Sequence, residues 1–244
     1  MLNIFIGYDH RQPISYNVLQ YSILRHAKVP VAITPLVYDT VPVKRVGLTP
    51  FTYTRFVIPD LMGFKGWALF MDADMLLKAD INELFEMRDD KYAVMVVKNK
   101  KKFEHASLML FNCARCHHLT PDYIEKAQNL HGIDWAKDEE IGELPSEWNV
   151  LVGYDKYRED AKIVHYTQGV PCFPETYVCD YSDDWHAVHA EMNSACEWDE
   201  LMGGSVHAAR CNDKLLPKFL FDEEKGKPRP EYEAHIHSLL EKAA

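Results

Sequence analysis

The segment Gly66-Trp67-Ala68-Leu69-Phe70-Met71 is a short apolar run that breaks off into Asp72-Ala73-Asp74. A run of that length, bounded by glycine on one side and charge on the other, fits a buried strand rather than a helix. A strand apolar on both faces must be covered on both, which points to a sheet with layers on either side. Charge at such a position is unusual, because an unpaired carboxylate taken out of water shifts its pKa or destabilises its surroundings. In an extended segment residues i and i+2 point the same way, so Asp72 and Asp74 converge while Ala73 faces elsewhere. The two acids therefore either cap a solvated turn or face a cation. Oxygen ligation suits Mn²⁺ or Mg²⁺ better than softer metals.

The segments around this run repeat its logic. Leu2–Gly7, Val31–Tyr38, Tyr92–Val97, Ala106–Phe111 and Ala161–Val164 read as further strands. Pro13 opens a helical stretch to about Ala27, Pro50–Met62 reads as a helix interrupted at Pro59, and Pro121–Leu130 as another. This alternation predicts an α/β fold with a mainly parallel sheet and covering helices. The C-terminal section is less regular, with helices expected over Asp183–Asn193 and Glu231–Lys242 and a charged linker over Glu223–Pro230. The expected organisation is one domain: residues 1–182 carry the site and 183–244 form a helical extension. In open α/β sheets ligands bind beyond the carboxyl ends of the strands. That rule gathers Gly7-Tyr8-Asp9, Asp72-Ala73-Asp74 and His165 on one rim, and a neutral imidazole can complete a Mn²⁺ site with two carboxylates.

A net charge of −10 argues against a general nucleic-acid binder. Lys98-Asn99-Lys100-Lys101-Lys102 is the one basic cluster, either a solvated loop or a contact for phosphate or an anionic acceptor. No segment approaches the about 20 apolar residues of a membrane span. The N-terminus lacks a basic region and reads as a first strand rather than a signal peptide. A cytoplasmic chain with its six cysteines reduced is expected on these grounds. Cys113-Ala114-Arg115-Cys116-His117 has the spacing of a haem attachment site, a chemistry that needs export. Incidental thiols, ahead of zinc ligands, are the expected reading.

Taken in order, these features resemble the family-8 glycosyltransferases over roughly residues 2–173. Ile4-Phe5-Ile6-Gly7-Tyr8-Asp9 is similar to the family's first strand and its acidic residue near the nucleotide base. Tyr53-Thr54-Arg55-Phe56-Val57-Ile58-Pro59-Asp60-Leu61 resembles the helix facing the donor, and Asp72-Ala73-Asp74 the metal-binding pair. Ala106-Ser107-Leu108-Met109-Leu110-Phe111-Asn112, Leu144-Pro145-Ser146-Glu147-Trp148-Asn149 and His165-Tyr166 follow in the family's order.

The resemblance implies a GT-A-like, Rossmann-type mixed sheet and retaining transfer of a hexose from a nucleotide sugar, with UDP the expected nucleotide. It also implies Mn²⁺ or Mg²⁺ held by Asp72, Asp74 and His165, and a carbohydrate or other hydroxyl acceptor. Gly7, Tyr8, Asp9, Arg55, Asp72, Ala73, His105, Ala106 and Gly169 are the implied donor contacts. Arg55 could fork onto a phosphate or fix the aspartates by a bidentate pair. Asp138 and Glu139, in Asp138-Glu139-Glu140, are either the substitutes for the family's acidic element near the reacting carbon or a solvated acidic turn. The sequence departs from the pattern at His105, where the family carries Asn. It departs again at Gly169-Val170-Pro171-Cys172-Phe173, which lacks the family's phosphate-contacting lysine. These departures leave a second reading, a catalytically silent nucleotide- or sugar-binding protein on the same fold. The last helix is left as a candidate for packing or for a homodimer contact.

Overall fold

The computed structural model describes residues 1–99, 103–196, 200–201, 221–222 and 227–228. Its centre is a six-stranded sheet. The strands are β1 (Leu2–Gly7), β2 (Val31–Leu36), β3 (Trp67–Met71), β5 (Val94–Val97), β6 (Leu108–Asn112) and β7 (Ile141–Leu144). They lie in the order β2-β1-β3-β6-β5-β7, and only β6 runs against the rest. The short strands β4 (Met75–Leu77), β8 (Val150–Leu151) and β9 (Ile163–His165) form a second sheet in the order β4-β9-β8.

Alternation along the strands divides the apolar side chains between two cores. Phe5, Ala68, Phe70, Met109 and Phe111 pack on one face with Phe51, Phe56 and Trp135. Ile4, Ile6, Leu69, Met71 and Leu110 pack on the other, beneath helix α1 (Pro13–His26), whose Tyr16, Leu19 and Ile23 recur at helical spacing. Pro13 sits in the first turn of α1, where its missing N–H costs nothing, and Arg25 and His26 lie at the negative end of the helix dipole. A third cluster joins the small sheet to Trp185 and Val188 of α5 (Ser182–Met192). Helix α5 also meets α1 through Tyr21, whose hydroxyl donates to Glu191 over 2.9 Å.

The compact unit spans Met1–Met192, so α5 belongs to it and the unit extends past residue 182. The remainder, from Asn193, forms a second unit, of which β10 (Phe221–Asp222) and β11 (Lys227–Pro228) pair antiparallel. The helix expected over Glu231–Lys242 lies outside the described residues, as do Lys100, Lys101 and Lys102.

The stretch expected to be one helix over Pro50–Met62 is instead a turn, a 3-10 segment (Thr54–Val57) and a four-residue helix α2 (Ile58–Leu61). Pro59 has no N–H to give to the carbonyl of Arg55, so a continuous helix cannot run through it. Beyond α2, Gly63 and Phe64 take positive φ values of 60° and 55° and turn the chain toward β3. Helices α3 (Ile81–Glu86) and α4 (Pro121–Lys126) are short and capped by Asp80 and Thr120, whose side chains accept backbone N–H groups.

Two registers position the site. Ile6 pairs with Met71, which sets Gly7-Tyr8-Asp9 beside Asp72-Ala73-Asp74. Met75 pairs with His165, which brings His165 to Asp74 from the small sheet rather than from the rim of the large one. Gly7 closes this junction, since a Cβ there would lie 2.5 Å from the ring of Phe51. Gly7→Ala is therefore expected to cost about 1–3 kcal/mol of stability through overpacking. Urea denaturation measures it, and an unchanged midpoint would contradict the close approach.

Candidate active site

Asp72 follows directly on buried β3, and its backbone N–H donates to Ser107 O over 2.9 Å. Its carboxylate points at Arg55, itself buried. Arg55 Nη1 donates to Asp72 Oδ2 over 3.3 Å and to Ala106 O over 2.8 Å, while Nη2 lies 3.0 Å from Asp72 Oδ1. The guanidinium carbon rests 4.7 Å from the centre of the Phe70 ring. Arg55 thus fixes an aspartate; of the two roles open to it in the sequence, the structure shows that one.

The third member comes from β9. Asn149 Nδ2 donates to Ser107 Oγ over 3.0 Å, which turns its Oδ1 toward His165 Nδ1 at 3.1 Å. The Nε2 of His165 lies 3.3 Å from Asp74 Oδ1. The loops are tied by Tyr166, whose N–H donates to the carbonyl of Asp74 over 2.9 Å. One ligand atom from each of Asp72, Asp74 and His165 lies within 4.8 Å of the others. Asp72 Oδ1 and Asp74 Oδ1 are buried. Two carboxylates and an imidazole nitrogen converging on one point are what a divalent cation needs, and Asn149 supplies the outer hydrogen bond that orients such a histidine.

The electrostatics agree. Burial pushes Asp72 up to about 7 even though Arg55 opposes it, with Asp74 adding to the rise. Burial pulls His165 down, but the carboxylates of Asp74 and Asp72 outweigh it and leave the imidazole raised. Without a cation the cluster stands in for one with protons.

Around this centre the sequence-predicted residues fall as follows. Ala73, His105 and Ala106 are buried, and His105 Nε2 accepts the N–H of Asn99 over 2.9 Å. Gly7 ends β1, and Tyr8 sits edge-on to Tyr16. Asp9 is engaged by Arg11, with Nη2 to Oδ2 at 2.6 Å, and this pairing holds its carboxyl below the usual range. Gly169 takes φ 116° in the turn after β9. Asp138 and Glu139 are not brought to the site. They are exposed in a 3-10 turn that leads into the start of β7, the sheet edge opposite to Asp72, with the neighbouring Glu140 paired to Arg115. β7 begins directly after that turn, so both acids are fixed to the entry of the strand rather than its exit.

Two residues escaped the sequence reading. Glu104, at φ 56°, places its charge where both Asp72 and His165 feel it, and its carbonyl accepts from Ser107 Oγ over 2.7 Å. His131 stacks edge-on to Phe56, and burial, followed by the charge of Arg55, lowers it to about 4. Glu104 stands immediately before His105-Ala106, which is the only signal in the sequence that could have marked it. Cys113 and Cys116 are buried free thiols with pKa values raised by burial.

Two cavities flank the cluster along the same sheet edge. One of about 250 Å³ lies past β1 and β2, lined by His10, Arg11, Tyr38 and Leu48 among others. The other, of about 540 Å³, lies past β5 and β7. Among the described residues no helix is long and apolar enough to cross a membrane.

Comparison with known proteins agrees with this geometry. Residues 9–119 match the model of glycosyl transferase family 8. Protein CDI of Arabidopsis thaliana is 35% identical over a match that covers 78% of this chain and 86% of the relative. The chain belongs to glycosyl transferase family 8. Among solved structures, the bifunctional glycosyltransferase WbbM superposes with a TM-score of 0.62 at 18% identity, over 78% of this chain and 49% of WbbM. The chain therefore spans about half the length of that protein. GlyE of Streptococcus pneumoniae TIGR4 gives 0.61 at 14% identity, over 94% of this chain and 66% of GlyE. The galactosyltransferase LgtC, solved with donor and acceptor sugar analogues, gives 0.57 at 10% identity, over 82% of this chain and 99% of LgtC. These likenesses establish the shared glycosyltransferase fold.

The raised pKa values carry a signed expectation. Asp72 and His165 keep protons in the folded, cation-free chain at pH values where the unfolded chain has released them. The stability from those protons is full at low pH and is lost as pH rises through about 7. Melting temperature after chelation should therefore fall between about pH 5 and pH 8, and added Mn²⁺ should raise it more at the higher pH. Asp74→Asn should abolish the Mn²⁺-dependent gain. Equal stabilisation of the wild type at both pH values would contradict proton–cation competition at this cluster.

Proposed function

We propose that this family-8 glycosyltransferase transfers a hexosyl group from a UDP-linked sugar to a hydroxyl acceptor, with a divalent cation, Mn²⁺ or Mg²⁺, held by Asp72, Asp74 and His165. The observation that carries this reading is the convergence of one ligand atom each from Asp72, Asp74 and His165, all within 4.8 Å of one another. A cation bound there supplies the positive charge that a diphosphate leaving group requires as its bond to the sugar breaks. The new glycosidic bond forms between the donor's anomeric carbon and the acceptor oxygen. UDP departs with the electron pair, and the hydroxyl proton passes to the departing phosphate or to water. Retention of configuration at the anomeric carbon is part of the proposal, as family membership implies.

The chain's own residues prepare this step. Arg55 orients Asp72 and favours its ionised form, Asn149 sets the tautomer of His165, and the Tyr166 N–H fixes the loop that carries Asp74. The groove of about 250 Å³ beside Asp9 and Arg11 suits the base and ribose, with Arg11 sharing its carboxylate partner. Gly7, Tyr8, Ala73, His105, Ala106 and Gly169 line the approach between that groove and the cluster in the proposal.

The test is UDP release from a panel of UDP-hexoses with and without Mn²⁺, and the anomeric configuration of any product by NMR. The account expects release that needs Mn²⁺, stops with chelator and is lost in Asp74→Asn. Asn149→Ala should weaken Mn²⁺ by about 10–100-fold, since an outer hydrogen bond to a metal-binding histidine is removed. Release that is independent of Mn²⁺ and unaltered in Asp74→Asn would overturn the metal site. Tight UDP and Mn²⁺ binding with no release from any UDP-hexose would make the chain a silent nucleotide binder.

A further inference from the structure

Glu104 stands beside the cluster without belonging to it. Among the described residues, the ligand atoms that converge are those of Asp72, Asp74 and His165 alone. Yet the charge of Glu104 reaches both Asp72 and His165 and pushes each of them upward. Its own carboxylate has no hydrogen bond and no ion pair among the described residues, and the residue is only half-buried. It is an acid at the centre with no task in holding the cation.

The backbone that carries this side chain is fixed from both directions. Glu104 has φ 56° and ψ 22°, a left-handed conformation uncommon for a residue other than glycine. Such a conformation persists only where the surroundings impose it, and it is concentrated at working sites. On the N-terminal side, Asn99 Oδ1 accepts the N–H of Phe103 over 3.0 Å while its Nδ2 donates to the Phe103 carbonyl, which closes the loop. On the other side, the Glu104 carbonyl accepts from Ser107 Oγ over 2.7 Å and from Asn149 Nδ2 over 3.4 Å. Both partners lead to the cluster. The Ser107 carbonyl accepts the N–H of Asp72, and Asn149 Oδ1 meets His165 Nδ1. Glu104 is therefore joined to two of the three cluster residues through one intervening residue each. Phe103 and Asn149 also line the cavity of about 540 Å³, so Glu104 lies at the margin of open space.

We propose that Glu104 is a catalytic base of the transfer step, and that its carboxylate takes the proton of the attacking hydroxyl. The proposal rests on the transferase reading and assigns the proton's destination within it. Retention in a single displacement requires the acceptor to arrive on the face from which the diphosphate leaves, and the cation marks that face. A carboxylate whose charge acts on the cluster residues lies on the same side, where the arriving hydroxyl gives up its proton. The hydroxyl oxygen bonds to the anomeric carbon as the bond from that carbon to the diphosphate oxygen breaks. UDP leaves with the electron pair, and the proton passes to Glu104 and from its exposed side to water. With water in place of the acceptor, the same step is hydrolysis of the donor.

The experiment measures UDP release by the full chain from the panel of UDP-hexoses, UDP-glucose and UDP-galactose among them, at saturating Mn²⁺ with water as acceptor. Wild type, Glu104→Gln and Glu104→Ala are compared, with Mn²⁺ and UDP affinities measured by calorimetry. Glu104→Gln keeps the size of the side chain and removes the base. It should lower kcat about 100-fold or more and leave the donor KM and both affinities within about threefold, as loss of a general base does. In Glu104→Ala, added formate should restore release in proportion to its concentration, because a small carboxylate fits the vacated space. Glu104→Gln leaves no such space and should not respond. An unchanged kcat in Glu104→Gln, a fall in Mn²⁺ affinity that accounts for the whole effect, or no response of Glu104→Ala to formate would overturn the base. If wild-type release needs Mn²⁺ while Glu104→Gln is unimpaired, the base alone is wrong. If the wild type releases UDP from none of the sugars, the transferase reading fails and the base falls with it.

Discussion

A carboxylate at the end of a buried strand is an electrostatic liability, and Arg55 is what makes Asp72 tolerable. The guanidinium takes both oxygens from one side, anchors itself on the Ala106 carbonyl and lies against Phe70. A buried ion pair of this sort seldom stabilises a fold by itself, because desolvating both charges costs about as much as their attraction returns. Here the pairing is also incomplete, since Asp72 remains raised to about 7. Arg55 orients the carboxylate without satisfying it. The rest of the centre is arranged around that deficit, with Asp74 and His165 facing the same point.

Much of the arrangement follows from strand register. The pairing of Ile6 with Met71 and of Met75 with His165 delivers three separate stretches of chain to one place. Each stretch was legible in the sequence because an apolar run ends abruptly in a polar ligand. The i, i+2 relation of Asp72 and Asp74 could be read directly. Asn149 could be found through its place in Leu144-Pro145-Ser146-Glu147-Trp148-Asn149, though its hydrogen bond to His165 could not.

Other features were hidden for physical reasons. His165 belongs to a small second sheet, and nothing in a three-residue strand distinguishes it from the end of a strand in the large one. Pro59 signals a break, but the 3-10 geometry that carries Arg55 depends on tertiary packing of Thr54, Phe56 and Val57. Asp138 and Glu139 illustrate the limit of spacing arguments. Placed immediately before β7, they fall at the entrance to a strand whose exit faces the site. Glu104 is found at the centre only through a left-handed backbone conformation, which sequence does not announce for a glutamate.

The central claim is that Asp72, Asp74 and His165 are the inner ligands of one divalent ion. Pulsed electron paramagnetic resonance of bound Mn²⁺ reads those ligands directly. The account predicts modulation from one imidazole nitrogen, lost in His165→Gln, and phosphorus coupling that appears when UDP is added. Mn²⁺ bound tightly with no nitrogen coupling, or with a nitrogen signal that survives His165→Gln, would contradict it.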